Sequence, residues 1–472
     1  MAPSSKKTGS TLSVGGSLVL GGSLFFALLG MYVPLLLPIA GILFLAFSFL
    51  YPRSVLYTAL LLHWVELMPI IGAKVESFKY AAGPINITLN DLVYGLMCLL
   101  VLSGLFKYPN KLNTIFNTFL GKALCAFVLY QFVQILYCLW GGVALDSIIR
   151  ESSKYLVALY VLYVYFYYDT DAFKQMLYKA QYIVFTLPIF QIIMVATGEV
   201  WLTSSGTERT YYIGANLFFM AVIIYYVLQP KLRMSHIFII VYMLAGMALT
   251  QYRSAFLALM AAMLLIAFYL FKDGRVDKVA LGGMGLLFAS ILGIALLSIV
   301  KPDFVSQTVS RYADTFNTED RNVSNRTYMW GVSYEAFKRN PVFGVGVAKS
   351  IYSYVDDGSY LSTKEWSPHN FIMRLAAKEG FLGVASLFAV LIGTYSLLRK
   401  RKKARIFNES ERRMLMAMLV ALLVVHTMNT TFTSAKSNFF HWMFTGYIVL
   451  QWWEARRARI IQAVQMRAEK NA

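Results

Sequence analysis

The sequence predicts an all-α integral membrane protein with about fourteen transmembrane helices and one large, partly helical external loop. Three observations carry that reading. The 472 residues are 58% hydrophobic and only 14% charged, whereas soluble domains run at about a quarter charged. Apolar stretches of the roughly 20 residues that a bilayer requires recur from residue 14 to the C-terminal region. Between about residues 300 and 378 lies the one long polar stretch.

The expected spans fall near residues 14–30, 32–50, 54–71, 89–106, 116–140, 153–169, 179–197, 211–229, 234–250, 253–271, 278–299, 379–398, 413–433 and 436–453. The first follows Ser4-Ser5-Lys6-Lys7 and resembles a signal peptide. No clear small-residue cleavage site follows it, so it reads as a helix. Tyr51-Pro52-Arg53 fits a turn, because proline interrupts the helical ladder. The chain thus divides into helices over 1–299, the loop over 300–378, final helices over 379–455 and a tail over 456–472.

Lysine and arginine number 43 against 24 aspartates and glutamates, a net charge of +19. In a membrane protein such an excess marks the cytoplasmic flanks of helices and requires no nucleic-acid partner. The densest cluster is Arg399-Lys400-Arg401-Lys402-Lys403 with Arg405, Arg412 and Arg413, and the tail adds Arg456, Arg457 and Arg459. Setting these inside puts both termini in the cytoplasm and the 300–378 loop outside. The short loops holding Lys107 and Lys111, Lys174 and Lys179, and Lys231 and Arg233 then also fall inside. In a bacterial inner membrane the loop faces the periplasm or exterior, where no nucleotide pool exists. No P-loop motif or internal repeat interrupts the pattern, which argues against a self-contained ATP-driven pump. Cys98, Cys125 and Cys138 all sit in apolar stretches and read as buried small hydrophobes.

Water-facing chemistry therefore belongs to the loop and to the helix ends beside it. Ser367-Pro368-His369-Asn370 holds the one histidine of five that lies clearly outside a hydrophobic run. An imidazole, with an unperturbed pKa of about 6.5, can take a proton from an attacking hydroxyl. Asn370 could orient that ring or bond a sugar, and Arg374, four residues on, is a further candidate substrate contact. Arg253, in Thr250-Gln251-Tyr252-Arg253-Ser254, sits at an expected outer junction of two spans. It either snorkels to lipid phosphates or points inward to hold a substrate diphosphate, a task suited to its planar fork; Tyr252 is a further candidate contact. Arg326-Thr327-Tyr328-Met329-Trp330 opens a loop helix that Asn340-Pro341 ends, and Gly344-Val345-Gly346 makes a turn. A cation near that helix start opposes the dipole, which disfavours a purely helical role for Arg326.

No metal-ligand spacing is evident. Asp356-Asp357 reads as a polar turn with Gly358, and Glu365 has no zinc-type partner. His63 and Glu66 share one helix face, as a membrane proton site would. His426 and His441 fall in the same outer half of the membrane, where helix–helix hydrogen bonding is the simpler role.

Three ordered motifs resemble the bacterial O-antigen ligase/polymerase family of membrane glycosyltransferases. They are Tyr252-Arg253-Ser254-Ala255-Phe256-Leu257-Ala258-Leu259, then Arg326 through Trp330 with Asn340-Pro341-Val342-Phe343-Gly344-Val345-Gly346, and last His369-Asn370 leading to Glu379-Gly380-Phe381-Leu382-Gly383. They cover roughly residues 250–385; elsewhere the likeness is in hydrophobic architecture. The resemblance implies a GT-C-like fold and metal-independent transfer, without a cofactor, of a glycan from an undecaprenyl-diphosphate carrier at the outer face. It implies His369 as the base and Arg253 and Arg326 as diphosphate ligands. The acceptor would be a carrier-linked glycan for a polymerase, lipid A-core for a ligase, or a protein for a related transferase. More spans than many ligases carry lean towards the polymerase of lipopolysaccharide or exopolysaccharide biosynthesis. The Arg-x10-Gly pattern of some polymerases is absent at these arginines, so both readings stand. Two other classes fit many spans: a flippase for lipid-linked sugar with Arg253 on its path, and a small-ion transporter built on His63 and Glu66. Protein partners are not legible.

Overall fold

Long apolar runs in lipid form helices, because only there, or in a closed barrel, does every main-chain group find a partner. The computed structural model describes residues 46, 48–67, 80–82, 85–87, 89–198, 201–202, 208–209, 214–229, 231–250, 252–275, 306, 321–351, 368–399, 408–428 and 435–471. Its elements are α1 (Ser54–Leu67), β1 (Tyr80–Ala82), β2 (Ile85–Ile87), α2 (Leu89–Lys107), α3 (Pro109–Phe116), α4 (Phe119–Trp140), α5 (Leu145–Leu156), α6 (Tyr160–Tyr167), α7 (Thr170–Thr197), β3 (Trp201–Leu202), β4 (Glu208–Arg209), α8 (Gly214–Val227), α9 (Met234–Thr250), α10 (Arg253–Lys272), α11 (Arg321–Arg339), α12 (Phe371–Arg399), α13 (Glu409–Met428) and α14 (Ala435–Asn471). Among the described residues the helical architecture carries two minimal antiparallel hairpins, pairing Tyr80 with Ile87 and Trp201 with Arg209.

Among the described residues, four helices (α4, α7, α10 and α12) are long and apolar enough to cross a membrane, and α8, α9 and most of α2 are shorter apolar helices. The expected spans near 14–30 and 278–299, and nearly all of 32–50, lie outside the described residues. The span expected over 153–169 is not one helix. Residues 145–156 form the amphipathic α5, with Asp146, Arg150, Glu151 and Lys154, and a 3-10 turn at Val157–Leu159 leads into α6. Every residue of α6 is buried. Three of its four tyrosines meet that burial by donating to main-chain carbonyls, Tyr163 to Pro52, Tyr165 to Lys111 at 3.0 Å and Tyr167 to Leu100 at 2.9 Å.

The bundle has two distinguishable ends. Helices α10 and α13 pack along each other, and Arg413 at the start of α13 binds both oxygens of Asp273 at the end of α10. They are therefore antiparallel, with Arg253 at the end where α13 finishes. At the Arg413 end, Lys174 pairs with Glu411 at 3.1 Å and Ser410 donates to the Leu228 carbonyl at 3.2 Å. Glu411 also accepts from Gln451 of α14. Beyond Arg456 α14 is exposed, so its basic end projects from this side.

The last helix group starts earlier than expected. Helix α12 begins at Phe371, with a non-helical Gly380 (φ 68°, ψ −166°) inside it. Arg374, Lys378 and Glu379 break the apolar run in sequence, yet all three are buried.

Candidate active site

Two cross-braced segments carry the site. At the Gly380 kink the amides of Phe381 and Leu382 leave the carbonyls of Ala377 and Lys378. The two amides donate instead to Pro341 (2.7 Å) and Val342 (3.3 Å), while Val345 and Gly346 donate to the two released carbonyls at 2.9 Å each. Two lost helical bonds are thus exchanged for four bonds to the loop segment 341–346. Backbones can approach this closely only because both sides use glycine. A Cβ on Gly344 would lie 2.4 Å from the Glu379 amide nitrogen, and one on Gly380 would lie 2.3 Å from the Val342 carbonyl oxygen. Both have positive φ, 70° and 68°. Gly380→Ala is therefore expected to destabilise the protein by more than about 2 kcal/mol. Thermal unfolding of the purified variant checks this, and a wild-type transition would show that the segment relaxes freely.

The braced region packs on α4. Gln134 donates to the Phe343 carbonyl at 2.9 Å and accepts from the Val347 amide at 3.3 Å. Gln131 donates to Glu379 Oε2 at 2.8 Å, and the Tyr130 hydroxyl donates to the Glu379 carbonyl. Met329, Val332, Ala336, Val345, Ile351 and Ala377 form a small core that fastens α11 to the same unit.

His369 stands exposed at the head of α12. Its φ of 48° makes it the one non-glycine residue with positive φ among the described residues; histidine is among the side chains that visit this region more readily. The turn is fixed on both sides. Asn370 Oδ1 accepts from the amides of Ile372 (3.0 Å) and Met373 (3.2 Å), an N-cap. On the other side Trp330 Nε1 donates to the Pro368 carbonyl at 2.7 Å. Trp330 lies four residues after Arg326 on α11, hence on the same face. The half-buried Arg326 is thereby on the helix face that holds the histidine turn.

Arg253 is the first residue of α10, half-buried, with Tyr252 at the N-cap. A cation there gains nothing from the helix dipole. Its end of the bundle is the one where α13 finishes, and there the His426 ring meets Phe371, the first residue of α12, at 6.2 Å. Arg253 and His369 thus share one end, and Arg326 joins His369 through Trp330. His426 and His441 do meet, with ring centroids 5.9 Å apart.

The other candidates have structural partners. The side-chain oxygen of Asn370 caps α12, and Tyr252 packs against the main core. Arg374 Nη2 donates to Glu151 Oε2 at 2.9 Å. Glu151 is a residue the sequence reading did not single out. Lys378, 1% exposed, lies 3.8 Å from it, and Lys154 donates to its other oxygen. Burial alone would raise the Glu151 pKa, but Lys378, Lys154 and Arg374 together hold it down at about 2. The usable signal was the amphipathic character of Leu145–Leu156 together with two cations at the head of an apolar helix. Of the earlier metal and proton-site candidates, Asp356, Asp357 and Glu365 and the side chains of His63 and Glu66 lie outside the described residues.

The described residues thus put an exposed histidine and two half-buried arginines at one end of a multi-pass helical membrane protein. Residues 238–388 match the family model described as O-antigen ligase, and the match encloses the motifs containing Arg253, Arg326 and His369. Over that stretch the chain is similar to the O-antigen ligase family. No curated protein matches the chain.

Proposed function

We propose that the protein transfers a glycan from an undecaprenyl-diphosphate carrier to an acceptor hydroxyl, with His369 as general base and Arg253 and Arg326 binding the diphosphate. The observation that carries this reading is the Trp330–Pro368 hydrogen bond, which ties the Arg326 helix to the histidine turn. A ring nitrogen of His369 accepts the acceptor's hydroxyl proton as the oxygen bonds to the anomeric carbon. The bond from that carbon to the phosphate oxygen breaks, and its electron pair leaves with the diphosphate. The two guanidinium groups neutralise the charge developing there. Attack opposite the leaving group inverts the anomeric centre.

The His369 end faces the periplasm or cell exterior, and the basic end faces the cytoplasm with both termini. Support comes from the gathering of Lys174, Arg413 and the α14 extension at the end opposite His369. The acceptor is a second carrier-linked glycan, as in a polymerase.

Reconstitution with a defined undecaprenyl-diphosphate-linked glycan and no nucleotide tests the whole reading. Chain extension with donor alone is expected. Transfer only after lipid A-core is added makes the protein a ligase, and intact donor crossing the vesicle makes it a flippase. Arg253→Lys keeps the charge but loses the fork, and donor use is expected to fall about tenfold or more. Unaltered donor affinity and turnover would remove Arg253 from the site.

A further inference from the structure

At the end of the bundle opposite His369, the last turns of α10 and α12 and the first turn of α13 enclose a cleft of about 210 Å³. Four cations line it, Lys272, Arg399, Arg412 and Arg413, against two carboxylates, Asp273 and Glu409. The carboxylates are already committed. Arg412 donates to both oxygens of Glu409, and Arg413 binds both oxygens of Asp273. Those two arginines are largely buried, their side chains 9% and 12% exposed, and each lies over the Tyr269 ring. Lys272 and Arg399 are exposed at the rim and form no ion pair among the described residues. The lining thus carries two uncompensated positive charges on a rigid, neutralised floor.

The flanking helix faces say what kind of anion fits. On α10, the exposed Leu264 and Phe268 precede Lys272 at four-residue steps, and on α12 the exposed Phe388, Ile392 and Tyr395 lead to Arg399. Residues at these spacings share a helix face. Each rim cation therefore caps an apolar strip that runs towards the bilayer centre, about 12 Å from Lys272 to Leu264 and about 16 Å from Arg399 to Phe388. A free phosphate has no use for such strips, whereas a lipid lays its acyl chains along them.

We propose that this cleft is a binding site for an anionic phospholipid, with Lys272 and Arg399 holding the head-group phosphate and the α10 and α12 strips receiving the acyl chains. It lies away from the histidine end and does not depend on glycan transfer.

Native mass spectrometry of the full chain, purified with mixed phosphatidylglycerol and phosphatidylcholine, reads the site directly. The wild type is expected to retain phosphatidylglycerol preferentially, and Lys272→Ala/Arg399→Ala to retain it about tenfold less with phosphatidylcholine unchanged. The double charge swap Lys272→Arg/Arg399→Lys is expected to restore retention. Arg457→Ala/Arg459→Ala, on the exposed extension of α14 at the same end, is expected to leave it at the wild-type level. Wild-type retention in Lys272→Ala/Arg399→Ala overturns the proposal. So does an equal loss in the α14 variant, which would make the whole basic end responsible. Displacement of the lipid by inorganic phosphate also overturns it, since the site would then serve a free anion. Should the double alanine variant fail to fold, Lys272→Gln and Arg399→Gln singly are each expected to lose about threefold.

Discussion

His369→Asn is expected to lower glycan transfer by about 10²- to 10⁴-fold, the range that a positioned general base contributes. Asparagine is the informative replacement because it tolerates the left-handed backbone that position 369 requires (φ 48°). The turn stays intact, along with the Asn370 cap and the Trp330–Pro368 bond, and only the imidazole goes. His369→Ala should show the same catalytic loss with an added cost in stability, since alanine gains nothing there from its backbone. The decisive measurement is turnover of the reconstituted enzyme beside its unfolding temperature. Full transfer by His369→Asn would mean that another group takes the proton.

Glu151→Ala is expected to be the most destabilising side-chain truncation in the region, by about 3–5 kcal/mol. It would leave Arg374 and Lys378 buried together without the carboxylate between them. The same arrangement predicts an acid dependence. The Glu151 pKa is about 2 when folded, against an ordinary 4.5, so the folded state binds this proton less readily than the unfolded chain. The stabilisation is complete above pH 4.5 and is lost as the pH falls from there towards 2, on the order of 3 kcal/mol in total. Unfolding followed across that window should show a steeper acid loss for the wild type than for Glu151→Gln. Parallel profiles would remove Glu151 as the source.

The histidine turn and both arginines stand out in the sequence because each is a polar break in an apolar background. Trp330 and Pro368 were legible as residues but not as partners, since nothing local links positions 38 apart. Glu151 was hidden for another reason. Its role depends on Arg374 and Lys378, more than two hundred positions away, and charge in sequence reads as solvent exposure. The same bias placed the start of the last helix group at 379 instead of 371, because Arg374, Lys378 and Glu379 look like loop residues until their buried partners are known. The span expected over 153–169 failed similarly: its hydrophobicity was read correctly, but the charged face of α5 precedes it and a 3-10 turn divides it. A helix with an unbroken apolar run, such as α10, left no comparable ambiguity.

The four hydrogen bonds that brace residues 341–346 against the Gly380 kink all join main-chain atoms. Upkeep of the brace asks for a backbone shape, with glycine at 344 and 380, and is indifferent to most neighbouring side-chain identities. Val342 and Phe343 point outward within it, 49% and 43% exposed. Those two positions offer mutational latitude beside the histidine turn, so this surface can drift, or be redesigned, without loosening the scaffold.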